Sequence, residues 1–225
     1  MHMDVIARFC DEVQALPEVA GRQMAYYEDS LREQGKRVLS RIENFCPYHE
    51  GFDEWLRTGK GPACVAQLFG EQAVLFKEKI NFKMPGGDGF KAHQDVQAGW
   101  DTFAPLHITL LIGIDPATAR NGCLEVAKGH HRRGLLGAMW QPLADDIEGV
   151  NYEPIETQPG DALFFDSYCP HRSAPNLTER ARRVLYVTYN AASAGDHRLR
   201  YYADKRASYP PDCERDPGKQ YRFKV

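Results

Sequence analysis

The sequence is short of several things. Its six cysteines (Cys10, Cys46, Cys64, Cys123, Cys169, Cys213) are scattered through 225 residues without a C-x-x-C pair. That argues against a zinc knuckle or a disulfide framework and for reduced thiols. No uninterrupted apolar run is long enough to span a bilayer. The opening "MHMDVIARFCDEV" lacks the basic head and apolar middle of a signal peptide. Net charge is only −3, so no general attraction to nucleic acid is implied. There is no repeat of 20 to 50 residues and no low-complexity segment. The expectation is a cytoplasmic protein of one domain that meets a small molecule, with neither nucleic acid nor a membrane as partner. Its oligomeric state is not legible.

What is present divides into two regimes. Hydrophobic residues make up 43% of the chain, enough for a substantial core. Residues 1 to about 70 read as helical: "MDVIARFCDEVQAL" and "GRQMAYYEDSLREQGKRVLSRIENF" carry apolar residues three and four apart. Pro17 and Pro47 mark breaks, and "FDEWLRTG" reads as a shorter helix. From about residue 72, short apolar runs alternate with Gly, Pro and Asn. "AVLFKEKINFKM", "LHITLLIGI", "CLEVA", "ALFFDSY" and "RVLYVTYN" read as strands of a β-sandwich or barrel.

One triplet raises a chemical question: His93-Gln94-Asp95, in "FKAHQDVQAG". In a strand, residues two apart share a face, so His93 and Asp95 would both point into a barrel while Gln94 points away. Such a pair alone is usually a surface pair or a hydrogen-bonded one. His171, just after the apolar run in "GDALFFDSYCPHRSAPN", offers a third ligand. Two imidazoles and a carboxylate make the facial triad of non-haem iron(II) oxygenases. They also suit a catalytic zinc, so the ligands leave the metal open. Arg182, eleven positions beyond His171, would open a strand running back and present a fixed fork to a carboxylate. The plainer reading makes Arg182 and Arg183 two solvated charges at a strand start. Asn121-Gly122 reads as a tight turn. His130 and His131 are adjacent and point to opposite faces, so one strand cannot add both to a site.

Here the sequence resembles a known family. "GFKAHQD", "NGCLEVAKGHHRRG" and "GDALFFDSYCPHRSAPNLTERARRVLYVTYN" are similar, in order, to motifs of the phytanoyl-CoA dioxygenase family of iron(II)/2-oxoglutarate oxygenases, over roughly residues 75 to 190. The resemblance implies a mainly β fold, a double-stranded β-helix (a cupin-like jelly roll) with a helical N-terminal third. In those terms residues 1–225 form one domain: a buttress to residue 70, a jelly-roll core over 72–190 and a lid or tail over 191–225. It implies Fe(II) on His93, Asp95 and His171, with 2-oxoglutarate and O2 as co-substrates. Arg182 would bind the distal carboxylate of 2-oxoglutarate, and Asn81, His107, Thr109 and Ser173 would complete that pocket. The implied reaction converts 2-oxoglutarate and O2 to succinate and CO2 and hydroxylates a C–H bond. Asp95 favours hydroxylation, because halogenating members lack this carboxylate. The family's usual Pro-Gly-Ser-His reads Lys128-Gly129-His130-His131 here, a departure that leaves the substrate open.

The C-terminal run "DHRLRYYADKRASYPPD" interleaves cations with tyrosines. It reads either as a lid over an anionic or zwitterionic ligand or as a solvated tail. With "KINFKMPGG" and "HQDVQAGW" it resembles the branch of the family that hydroxylates 2-aminoethylphosphonate and its N-methylated relatives. That likeness implies Lys79, Gln94, Tyr202, Lys205 and Arg206 around the substrate. The alternatives are a hydroxylase of a betaine-like, ectoine-like or acyl-CoA substrate, a metal-binding jelly roll without turnover, and a zinc hydrolase.

Overall fold

A computed structural model describes residues 2–144 and 146–221. Two antiparallel sheets form its frame. The larger runs in the order β1 (Met24–Asp29), β2 (Arg37–Glu43), β3 (Ala73–Lys83), β10 (Arg182–Ala191), β5 (His107–Gly113), β8 (Ala162–Asp166). The smaller runs β4 (Phe90–His93), β9 (His171–Ser173), β6 (Leu124–Val126), β7 (Glu153–Ile155). Leu124 and Val126 of the smaller sheet pack on Leu111, Phe165, Val184 and Tyr186 of the larger. The result is the expected jelly roll.

Strand β10 shows how the sequence builds this. Its residues alternate between two covered faces. Leu185, Val187 and Tyr189 pack outward against Ile6, Phe52, Leu56 and Val65, which come from the buttressing helices α1 (Met3–Gln14), α2 (Glu50–Thr58) and α3 (Lys60–Phe69). Val184 and Tyr186 pack inward against the smaller sheet. A strand covered on both faces reads as a continuous apolar run, which is why "RVLYVTYN" was so legible.

Two expectations need correction. Residues 21–45 are not helical: β1 and β2 form an antiparallel hairpin that extends the larger sheet. Met24, Ala25 and Tyr26 in a row are buried, as are Ser40 to Glu43. Burial on both faces erased the alternation that marks a half-buried strand, and the helix-favouring charged residues between belong to the turn. The C-terminal stretch is likewise no irregular tail. Residues Arg198–Ser208 form helix α4. Its Tyr201 and Tyr202 are buried with Met24, Tyr26, Phe76 and Trp100. It is part of the core, so it cannot be removed without exposing that cluster.

Phe76 reaches this cluster through a register shift: opposite Thr188 and Tyr189, β3 places one extra residue. A bulge of this kind re-aims a side chain. Here it turns Phe76 toward Trp100, Tyr201 and His107, with ring centroids 5.5, 4.5 and 4.4 Å away. Among the described residues no helix is long and apolar enough to cross a membrane.

Candidate active site

Strands β4 and β9 are neighbours, and His93 pairs directly with His171 across them. Their ring centroids lie 4.3 Å apart. Asp95 arrives differently from expectation. Strand β4 ends at His93, and Asp95 opens a short 3-10 turn, residues 95–98. The turn, not the pleat, brings its carboxylate beside the imidazoles. His171 opens strand β9. One ligand atom from each of the three residues lies within 4.8 Å of the others.

The surroundings prepare all three as ligands. His93 Nδ1 lies 2.7 Å from the Lys91 carbonyl and His171 Nδ1 lies 3.0 Å from that of Cys169. A ring whose Nδ1–H donates to a carbonyl holds its Nε2 lone pair free for a metal. Burial, helped by neighbouring His171, drives the His93 pKa down to about 3. Burial also lowers His171. Both rings are therefore neutral. Burial alone would raise Asp95, but His171, Lys79 and His93 outweigh it and hold the carboxyl below its ordinary value. Two neutral imidazoles and one carboxylate fit Fe(II).

A cavity of about 300 Å³ adjoins His93 and Asp95. Phe90, Trp100, Phe103, Trp140, Tyr201 and Tyr209 supply aromatic wall; Arg41, Lys77, Lys79 and Lys205 supply charge. Glu43 is the internal counter-ion. Arg41 Nε donates to it at 2.7 Å, Lys77 Nζ lies at 3.6 Å, and Lys205 Nζ donates to it as well. Burial would raise Glu43, but Lys205, Lys77 and Arg41 together hold it well below the usual carboxylate range. Lys79 is the exception. Its Nζ sits over the Tyr186 ring at 4.8 Å and the Phe90 ring at 5.8 Å, with no ion pair among the described residues. Burial and the charge of Lys77 lower its pKa to about 8.

A second polar cluster lies further along β3 and β10, where Lys83 is paired with Arg182. Lys83 Nζ donates to Ser173 Oγ at 2.7 Å and to the carbonyls of Ala174 and Gly122. Arg182 Nη2 donates to the same Gly122 carbonyl, and its Nε has no partner among the described residues. Burial and Arg182 lower Lys83 to about 7. Gly122 has φ 72°, and a Cβ there would collide with the Ala174 carbonyl, so the Asn121-Gly122 turn needs glycine. Arg183 points the other way, to Asp115 and Asp11, as strand alternation requires.

The remaining candidates separate. Asn81 lies between Lys79 and Lys83 on the inward face of β3, its Oδ1 buried without a partner among the described residues. His107 Nε2 is in the same condition. Thr109 is occupied by a 2.9 Å hydrogen bond to Thr188. Lys205 lines the cavity; Tyr202, Arg206 and Gln94 do not. The Tyr202 hydroxyl donates to the Glu78 carbonyl at 3.0 Å, and Arg206 pairs with Glu214. Gln94 spends its side chain on the carbonyls of Gly134 and Tyr168 and the N–H of Leu136. Sequence reasoning missed Arg41, Glu43, Lys77 and Lys83. The signal for the lysines was there: Lys77, Lys79 and Lys83 occupy alternate positions on one face of a strand too apolar to be exposed.

Comparison with known proteins agrees with this geometry. The family model described as phytanoyl-CoA dioxygenase (PhyH) matches residues 3–184. A 2-aminoethylphosphonate dioxygenase from uncultured bacterium HF130_AEPn_1 is 42% identical over 96% of this chain and 83% of its own length. A methylphosphonate hydroxylase from Gimesia maris is 44% identical over 91% of this chain and 77% of its own. Among solved structures, EctD from S. alaskensis with 2-oxoglutarate and 5-hydroxyectoine superposes with a TM-score of 0.71. It is 17% identical and shares 85% of this chain and 68% of its own, a likeness of fold. With a match running from the first helix into the last strand of the jelly roll, the chain belongs to the phytanoyl-CoA dioxygenase family.

Proposed function

We propose that this protein is an iron(II)- and 2-oxoglutarate-dependent dioxygenase that hydroxylates a small phosphonate in the cytoplasm, with residues 1–225 acting as one catalytic domain. His93, Asp95 and His171 would hold the iron. With 2-oxoglutarate and O2, that iron supplies the oxidising chemistry that couples formation of succinate and CO2 to hydroxylation of a C–H bond.

The protein's own residues do the rest. Arg182 and Lys83 are two buried cations without an ion pair among the described residues, which suits the distal carboxylate of 2-oxoglutarate. Ser173 positions Lys83, and Asn81 offers a buried polar atom between Lys79 and Lys83 on the same strand face; His107, opposite Asn190, lies toward the other end of the sheet. At the other end, the aromatic wall excludes water around the reacting C–H bond.

One observation carries the phosphonate reading: Lys79, half-buried beside His93 and Asp95 in the cavity wall and without an ion pair among the described residues. A buried ammonium without a partner is costly, and an anionic ligand removes that cost. Lys77, Arg41 and Lys205 share one carboxylate, Glu43, and so leave positive charge beside the cavity even with Asp204 in its wall, which favours a doubly ionisable headgroup over a carboxylate. The sequence relatives act on phosphonates by name. Succinate release tests the reading. Methylphosphonate or 2-aminoethylphosphonate should stimulate it, and Lys79→Met should weaken the response by raising the phosphonate concentration needed. Equal stimulation by a carboxylate analogue, or no effect of Lys79→Met, would remove the phosphonate assignment.

A further inference from the structure

Two buried glutamines flank Asp95, and neither lines the cavity. Gln94 Nε2 donates to the carbonyls of Gly134 (2.8 Å) and Tyr168 (2.6 Å), and its Oε1 accepts from Leu136 N–H (2.7 Å). Gln97 Oε1 accepts from Gln94 N–H at 2.8 Å, and its Nε2 donates to the carbonyls of Ala138 and Gln141, each at 2.7 Å. The main chain adds Trp140 N–H to the Gln97 carbonyl (2.8 Å) and Leu143 N–H to the Ala92 carbonyl (2.7 Å). Residues 134–143 are thus fastened onto the stretch that carries His93 and Asp95. Through Tyr168, the same Gln94 side chain also holds the turn that leads to His171.

This fastened segment carries Trp140 into the cavity wall. Its backbone is left-handed, with φ 65°. A bulky side chain seldom adopts that conformation, and strain of this kind persists only where the surroundings impose it. The indole is 49% exposed and lies against Gly99, where a Cβ would sit 2.5 Å from the ring. A large aromatic is thus held in a left-handed conformation on Gly99, half-exposed and facing the cavity beside His93 and Asp95.

We propose that Gln94 and Gln97 are positioning residues that seat residues 134–143 as a flap, and that the Trp140 indole on this flap covers the bound substrate and sets which one is hydroxylated. The substrate half of this inference rests on the hydroxylase reading above. The clamp half does not. Each glutamine's carbonyl oxygen accepts one N–H and its amide nitrogen donates to two carbonyls. Glutamate at either position keeps the shape and the acceptor but sets an oxygen against those two carbonyls.

The experiment compares full-length wild-type protein with Gln97→Glu, Gln94→Glu and Trp140→Ala. Chymotrypsin cleavage after Leu135, Leu136 or Trp140, followed by mass spectrometry without metal, reads the clamp. Succinate formed per hydroxylated product, with methylphosphonate and with 2-aminoethylphosphonate, reads the cover. Gln97→Glu should raise cleavage within 134–143 about tenfold, the scale of one or two lost buried hydrogen bonds. Gln97→Glu and Trp140→Ala should both raise succinate per product and shift the preference between the two phosphonates. Trp140→Phe should restore much of the coupling. Trp140 is half-exposed, so its variants keep the cover testable should a glutamine variant fail to fold. Wild-type cleavage in both glutamate variants would overturn the clamp. Wild-type coupling and preference in Trp140→Ala would overturn the cover. A wild-type protein that forms no succinate at all would sink the hydroxylase reading and the cover with it, while the cleavage result still decides the clamp.

Discussion

Lys83 and Arg182 share the carbonyl of Gly122 and form no ion pair with a carboxylate among the described residues. Two buried like charges with only dipoles to satisfy them are destabilising until an anion arrives. Arg182→Ala should raise the 2-oxoglutarate requirement strongly, by about 2–5 kcal/mol in binding, while iron content stays near wild type. Arg183→Ala, on the opposite face with Asp115, should leave that requirement within about twofold. Isothermal titration with 2-oxoglutarate separates the two. Removing an iron ligand acts elsewhere: His93→Ala, Asp95→Ala and His171→Ala should each lose bound iron, read by metal analysis, and lose turnover. The sign of the pH effect follows from Lys83. Its folded pKa, about 7, lies below the ordinary 10.5. The unfolded chain therefore holds the extra proton between those values, and this residue's contribution to stability rises as pH rises through that window. Without 2-oxoglutarate, urea midpoints should increase from about pH 7 to about pH 9, and Lys83→Met should remove part of that increase.

Helix α4 is anchored by charge as well as by rings. Arg198 pairs with Glu78, both buried, and Lys205 pairs with Glu43, also buried. Arg198→Ala leaves Glu78 without its cation and should cost about 3–5 kcal/mol in denaturant titrations. Arg200→Ala, on the exposed side with Asp204, should change stability by no more than about 0.5 kcal/mol. A small effect at Arg198 would mean that α4 is held by its tyrosines alone. What the sequence disclosed follows the same physics. The five strand signals after residue 72 were legible because each run is short, apolar and bounded by turn residues. The hairpin of β1 and β2 was not, because burial on both faces and the charged residues between its strands imitate helical spacing. Helix α4 was obscured by its tyrosines and cations, which read as lid chemistry although most serve anchorage. His93 and Asp95 were paired from their spacing, and His171 was added from its place after an apolar strand; the structure brings the three together, but Asp95 reaches its place by a turn that no strand pattern contains. Gln94 was placed near the substrate by the family resemblance, against the strand alternation, and only the structure shows its amide committed to three backbone groups.

Across the whole molecule the charges are sorted, although the net charge is only −3. Arg41, Lys77, Lys79 and Lys205 gather at one cavity, and Lys83 and Arg182 lie deeper between the sheets. On the proposed reading, this gathering would give one interior two anion sites, one for the co-substrate and one for a phosphonate. It also explains why the jelly roll tolerates so many inward lysines: each faces Glu43, a main-chain carbonyl or an aromatic ring. Turnover under 18O2 with methylphosphonate or 2-aminoethylphosphonate, read by mass spectrometry, tests this account most directly. The expected result is one labelled oxygen in the succinate and one in the hydroxylated phosphonate, with the two products formed in equal amounts. Unlabelled products, or succinate whose yield does not respond to any phosphonate, would contradict it.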